Sequence, residues 1–229
     1  MQNISDQYTE GKVLLIDKPF RWTSFDVVRK VRNMLRIKKV GHAGTLDPLA
    51  TGLLIVCTGK FTKKINEYMA QEKEYTGTIT LGSVTPTYDL ESEPQDFKQY
   101  DHILLEDINH FIDSKFTGSI LQTPPIHSAI KKDGKRAYEL ARRGDEIKLE
   151  PRRVTIHSFE ITKMELPFLD FKVVCSTGTY IRSLAHDLGE TLGSGAHLSN
   201  LCRTRIGAFK LEDAFTMDAF EKEIIDQKG

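Results

Sequence analysis

The longest unbroken apolar runs in this 229-residue chain, Val13-Leu14-Leu15-Ile16 and Leu53-Leu54-Ile55-Val56-Cys57, are no longer than a β-strand. Neither approaches the length of a membrane span, and continuous runs of this size read as strands covered on both faces. Between them Val27, Val28, Val31, Met34 and Leu35 recur at helical spacing, with Thr23 or Ser24 as cap and Asp26 in the first turn. A helix bearing Ile65, Tyr68 and Met69 is predicted next. Residues 75–81 alternate, so Tyr75, Ile79 and Leu81 share one face of a strand. Further helices are predicted near 106–115, 136–143 (ended by Gly144), 180–188 (stopped by Gly189) and 217–225, and further strands at 154–156 and 169–173. Strands and helices mix without a regular βαβ rhythm. The expected fold class is therefore α+β, a mixed, mainly antiparallel sheet with flanking helices.

The length suits one large domain, or one with a small appendage, and 39% hydrophobic with 28% charged residues is ordinary for a globular chain. The N-terminal residues Met1-Gln2-Asn3-Ile4-Ser5-Asp6-Gln7 are polar and lack the apolar core of a signal peptide. Cys57, Cys175 and Cys202 form no C-x-x-C pair, and a cytoplasmic location is expected. Net charge is zero, but its distribution is uneven. Arg29, Lys30, Arg32, Arg36, Lys38 and Lys39 lie together without an acid, and residues 131–153 hold nine basic against five acidic side chains. The compensating acids cluster at 89–93 and 221–223, so a neutral chain can still present local basic patches to a polyanion.

No His or Cys spacing fits a metal site, and no metal or other cofactor is expected. Ser183, His186 and Asp187 crowd one helical stretch, whereas triad members come from separate elements. The most unusual stretch is Gly41-His42-Ala43-Gly44-Thr45-Leu46-Asp47-Pro48-Leu49-Ala50-Thr51-Gly52. Its glycines resemble a phosphate cradle, yet neither G-x-G-x-x-G nor G-K-[ST] fits. Asp47 precedes Pro48, which biases it to extended backbone. Taken alone, those features also suit a turn aspartate bonding its own backbone.

That loop resembles the signature loop of the bacterial TruB-type tRNA pseudouridine-55 synthases. Other blocks match the family in order. Lys12-Val13-Leu14-Leu15-Ile16-Asp17-Lys18-Pro19 is similar to its opening motif and Lys73-Glu74-Tyr75 to its tyrosine strand. Gln122-Thr123-Pro124-Pro125, Ser128-Ala129 and Ala137-Tyr138-Glu139-Leu140-Ala141 are similar to its RNA-gripping insertion. Ser176-Thr177-Gly178-Thr179-Tyr180-Ile181-Arg182 resembles its arginine motif, followed by Gly195-Ala196-His197-Leu198 and Leu201-Cys202-Arg203.

The resemblance implies a pseudouridine synthase fold and an isomerase acting on the T-arm stem-loop of tRNA, with no membrane and no obligate protein partner, as a monomer. It implies a flexible segment 1–10, a catalytic domain 11–212 with an RNA-gripping insertion about 122–153, and a helical tail 213–229. It assigns Asp47 as nucleophile or base, Tyr75 as the residue stacking on the target base, and Arg182 as the arginine paired with the aspartate. His42, Tyr180 and Leu201 align with residues around the RNA or the flipped nucleotide; Lys18, Lys63 and Asp89 are weaker correspondences. Two departures stand out: Pro86 replaces a usual second aspartate, and the chain leaves no room for the C-terminal PUA-type domain of many members.

The chemistry suits these residue types. Breaking N1–C1′, turning the uracil and joining C5 to C1′ needs no redox change and no energy source. A carboxylate can start it by attack or by proton removal. The competing readings are a non-catalytic RNA-binding or RNA-folding module, for which Asp47 would be superfluous, and a nucleotide-binding hydrolase, whose phosphate loop and metal ligands are missing.

Overall fold

The computed structural model describes residues 4–128, 131–132, 135–136 and 149–226. The chain forms two compact units, one of Met1–Thr76 with Leu201–Gly229 and one of Gly77–Asn200.

The first unit is built around strand β3 (Thr51–Thr58), whose run Leu53–Cys57 is completely buried. Strand β1 (Val13–Lys18) pairs antiparallel along its whole length, from Val13 opposite Cys57 to Lys18 opposite Gly52. On its other edge β3 has two successive neighbours. Strand β2 (Val40–Ala43) pairs antiparallel with the C-terminal half, and the end of β10 (Ala196–Ile206) pairs parallel at Thr51 and Gly52. Short β11 (Phe209–Lys210) folds back on β10.

Both faces of β3 are covered, as its continuous apolar run requires. Leu54 and Val56 join a core with Val27, Val28, Val31 and Leu35 of α2 (Ser24–Leu35) and Met217, Phe220 and Ile224 of α6 (Met217–Asp226). Leu53, Ile55 and Cys57 pack with Phe61, Ile65 and Tyr68 of a 3₁₀ turn (Gly59–Lys64) and α3 (Ile65–Ala70). Thr23 caps α2 in a capping box: its side chain accepts from the Asp26 N–H, and the Asp26 carboxylate accepts from the Thr23 N–H at 2.9 Å. One terminal segment differs from expectation. Residues 4–10, expected as a flexible lead-in, form helix α1 (Ile4–Glu10), because Tyr8 is buried in the α2 core. The C-terminal helix expected over 217–225 is present as α6 and belongs to that same core.

The second unit holds the rest of β4 (Lys73–Leu81), β5 (Gly118–Gln122), β8 (Arg152–Glu165), β9 (Phe168–Cys175) and the start of β10. β5 with β8 and β8 with β9 are antiparallel pairs, the latter with two register shifts. Helix α4 (Leu105–Lys115) buries Ile108 and Ile112 and packs on β8 and on α5 (Ile181–Leu192). Lys131–Lys132 and Lys135–Arg136 form the short antiparallel pair β6 and β7. Mainly antiparallel pairs, with β3 and β10 parallel, and flanking helices make the expected α+β architecture. The predicted helix 136–143 lies almost wholly outside the described residues.

Helix α5 does not stop at Gly189. It runs to Leu192 and is capped by Gly193 at φ 75°. Gly189 serves close packing instead: a Cβ there would lie 2.2 Å from the Ala196 nitrogen.

Candidate active site

Asp47 lies half-buried in loop 44–50, between β2 and β3, at the place where β2 gives way to β10 along β3. The residues on either side of it are fastened. The Ser24 hydroxyl, buried at the start of α2, accepts from the Leu46 N–H at 2.9 Å and donates to the Leu46 carbonyl at 3.2 Å. The Pro48 carbonyl accepts from the Arg21 N–H at 2.8 Å and from the Lys18 ammonium at 3.3 Å. Ala50 closes the turn on the Asp47 carbonyl at 3.1 Å.

Lys18 is fully buried, and its ammonium also donates to the carbonyls of Pro19 and Trp22. It therefore joins turn 19–22 to turn 47–50. Burial pushes Lys18 down to about 8; the Asp47 carboxylate works against that fall and the Arg203 cation adds to it. At neutral pH Lys18 remains mainly the ammonium that its three carbonyls require.

Arg203 is only 1% exposed. It donates to the Leu53 carbonyl at 2.8 Å and to the Gly44 carbonyl at 3.2 Å, tying the loop's first glycine to β3. His42, half-buried on β2, is held below its ordinary pKa by burial first and by Arg203 second, which favours neutral imidazole at pH 7. Tyr75 is buried on β4, on the same face as Lys73, and Leu201 is buried on β10. Glu74 accepts from Thr204 at 2.9 Å and lies 3.8 Å from Arg205, which fixes this part of β4.

In the second unit Arg182 is buried at the start of α5. Its guanidinium donates to the carbonyls of Thr87 at 3.1 Å and His127 at 2.9 Å, and lies 3.6 Å from the Asp89 carboxylate. Asp89 is itself buried and accepts from the Glu91 N–H at 3.0 Å. Its segment alternates: Thr85, Thr87 and Asp89 point inward while Pro86 is exposed. The Pro86 departure therefore leaves the buried set around Arg182 unchanged. Tyr180, at the N-cap of α5, is gripped through its backbone by the buried Gln122 amide, which accepts at 2.8 Å and donates at 3.0 Å. Arg152 lies over the Tyr180 ring, 5.8 Å from its centre. Lys63 is exposed.

Arg203 and Ser24 are the two positions whose roles the sequence left unread. In the sequence Ser24 reads only as a possible helix cap. Arg203 shares an inward strand face with Leu201, and a charge at that spacing is the signal that marks a buried anchor.

Ser183, His186 and Asp187 make no triad. The Ser183 hydroxyl donates to the Thr123 carbonyl at 2.8 Å, and the His186 ring stacks on Tyr88 with centroids 3.9 Å apart. Burial, with Glu190 second, pushes Asp187 up to about 6. A carboxyl raised in the folded state contributes stability at low pH that is lost as pH climbs from 3.8 through about 6. Asp187→Asn is therefore expected to stabilise the protein at pH 8 by roughly 1–3 kcal/mol. It should also flatten the dependence of Tm on pH across that window. Thermal melts of both proteins against pH check this; a variant with lower Tm at pH 8 contradicts it.

Two family models match the chain: TruB family pseudouridylate synthase (N terminal domain) over residues 32–181, and tRNA pseudouridylate synthase B C-terminal domain over residues 182–228. The tRNA pseudouridine synthase B of Flavobacterium johnsoniae is 54% identical over 226 residues, covering 96% of this chain and 98% of the relative. That of Phocaeicola vulgatus is 49% identical over 227 residues, covering 96% of each. Among solved structures, a Cbf5-Nop10-Gar1 complex matches with TM-score 0.77 and 30% identity over 99% of this chain. The match spans 58% of the length of that solved chain. The chain belongs to the TruB family of pseudouridylate synthases.

Proposed function

We propose that this protein is a tRNA pseudouridine synthase that isomerises one uridine in the T-arm loop to pseudouridine, with Asp47 starting the reaction. The observation that carries this reading is the fastening of Leu46 and Pro48 on either side of Asp47. A turn aspartate that only bonded its own backbone would need no buried lysine and buried serine to hold its neighbours. A carboxylate that must meet one sugar carbon or one proton does need them, because small misplacements cost much of the rate. The family membership and the names of the close relatives support the same activity.

A uridine in a folded loop must leave the stack to be reached. In this account Tyr75 stacks on the flipped base, and the family pattern assigns Arg182 as the arginine paired with the aspartate and His42, Tyr180 and Leu201 as residues around the nucleotide. Cys57, Cys175 and Cys202 form no disulfide with one another, which fits a cytoplasmic enzyme. The test is conversion of an isolated T-arm stem-loop transcript, mapped at nucleotide resolution. The target uridine should become pseudouridine, and the same stem-loop with cytidine there should yield none. An unconverted stem-loop alongside a converted full tRNA would contradict recognition confined to the T arm, and no conversion of either would contradict the function.

Tyr75 gives a separate expectation. Base stacking is worth about 1–3 kcal/mol, so Tyr75→Ala should lower turnover about 10- to 100-fold while RNA affinity changes little. Tyr75→Phe should retain more turnover than Tyr75→Ala. Steady-state kinetics with filter binding distinguish these; wild-type turnover in Tyr75→Ala would remove Tyr75 from the site.

A further inference from the structure

Turn 19–22 places an arginine where the backbone favours glycine. Arg21 has φ 64°, in the left-handed region that side chains with a Cβ avoid. An observed backbone outlier of this kind is a reason to look for function. The Arg21 side chain is exposed and has no ion-pair partner among the described residues. Its guanidinium lies over the Phe20 ring, 5.5 Å from the centre, and Phe20 is itself 54% exposed. The backbone beneath is fixed: the Arg21 N–H donates to Pro48, and the Lys18 ammonium holds the carbonyls of Pro19, Trp22 and Pro48. The tip is thus anchored to the residue that follows Asp47.

Arg21 and Trp22 also border a groove of about 380 Å³, whose other wall is Asp26, Arg29, Lys30 and Asn33 on one face of α2. Of its three cations, Arg29 is paired with Asp26 at 2.7 Å and Lys30 with Glu221 at 2.9 Å. Arg21 is the cation left for an outside anion. A guanidinium fork suits phosphate oxygens, and an exposed phenyl ring suits the face of an unpaired base.

We propose that the Phe20/Arg21 tip is a second RNA contact: Arg21 binds a backbone phosphate near the flipped uridine, and Phe20 stacks on an unpaired base beside it. This rests on the reading of the protein as an RNA-modifying enzyme. The strained conformation is retained because it aims the guanidinium outward from a turn that cannot shift relative to Asp47.

The test uses Arg21→Gly and Phe20→Ala in the full chain on an unmodified tRNA transcript. Glycine relieves the left-handed strain, so Arg21→Gly should melt at or above the wild-type temperature. Its kcat should be unchanged and its KM raised about tenfold. Its plot of log(kcat/KM) against log(salt) should be shallower by about 0.7 to 0.9, the loss of one phosphate contact. Phe20→Ala should raise KM and leave that slope alone. Wild-type KM and salt slope in Arg21→Gly overturn the proposal, as does a KM change that comes only with a lowered melting temperature. If the wild-type protein itself forms no pseudouridine, the functional reading falls, and this contact falls with it.

Discussion

Asp47→Asn should lower the single-turnover rate of pseudouridine formation by about 10³-fold or more, while tRNA affinity and melting temperature stay close to wild type. The amide is nearly the shape of the carboxylate, and the loop is held through its neighbours: Ser24 on Leu46, Arg21 and Lys18 on Pro48. The substitution therefore removes the charge without releasing the backbone. Lys18 provides an internal check, because the Asp47 carboxylate opposes the burial that pushes this lysine down to about 8. Its ammonium should titrate lower still in the variant. Single-turnover rates with filter-binding affinities measure the main effect. A rate within tenfold of wild type, about 1.4 kcal/mol of barrier, would remove Asp47 from the chemistry.

Gly52→Ala carries the largest expected effect on stability. Gly52 has φ 99°, and a Cβ there would lie 2.4 Å from the Arg203 carbonyl oxygen and 2.7 Å from the Arg203 nitrogen. Both are backbone atoms of the strand paired with it, so neither can rotate away. The same residue anchors the loop end, its N–H donating to the Asp17 carboxylate at 3.1 Å. Relieving the clash means separating β3 from β10 and displacing Arg203 from Leu53 and Gly44. A destabilisation of about 3–5 kcal/mol follows, or a fall in Tm of about 10 °C. A thermal melt measures it; a shift under about 2 °C would mean that β3 and β10 are less tightly apposed than described.

What could be read beforehand follows from how local each cause is. The run Leu53–Cys57 announces a strand buried on both faces, and α2 announces itself through its spacing and its Thr23 cap, because those signals are written in neighbouring residues. The end of α5 is not legible in the sequence because Gly189 answers to Ala196, a contact that spacing along the helix does not encode. Helix α1 is equally hidden, because one tyrosine, Tyr8, reaching the α2 core is a tertiary cause. The site divides in the same way. Asp47 was singled out by its Gly- and Pro-flanked turn, but its chemistry came from the family pattern, not from the turn. The anchors Arg203 and Ser24 bond to carbonyls and amides far away in the chain. Arg21 shows its conformation only in three dimensions, since an arginine in a loop looks ordinary in one.

A pseudouridine synthase exchanges the C5–H bond of one uracil in tRNA for the C5–C1′ bond. Release of tritium from a tRNA transcript labelled at C5 of every uridine measures that exchange directly, since joining C5 to C1′ expels the C5 hydrogen. Release should plateau at one equivalent per tRNA and be lost when the T-loop uridine is replaced by cytidine. No release, or a plateau that survives that replacement, would contradict the function.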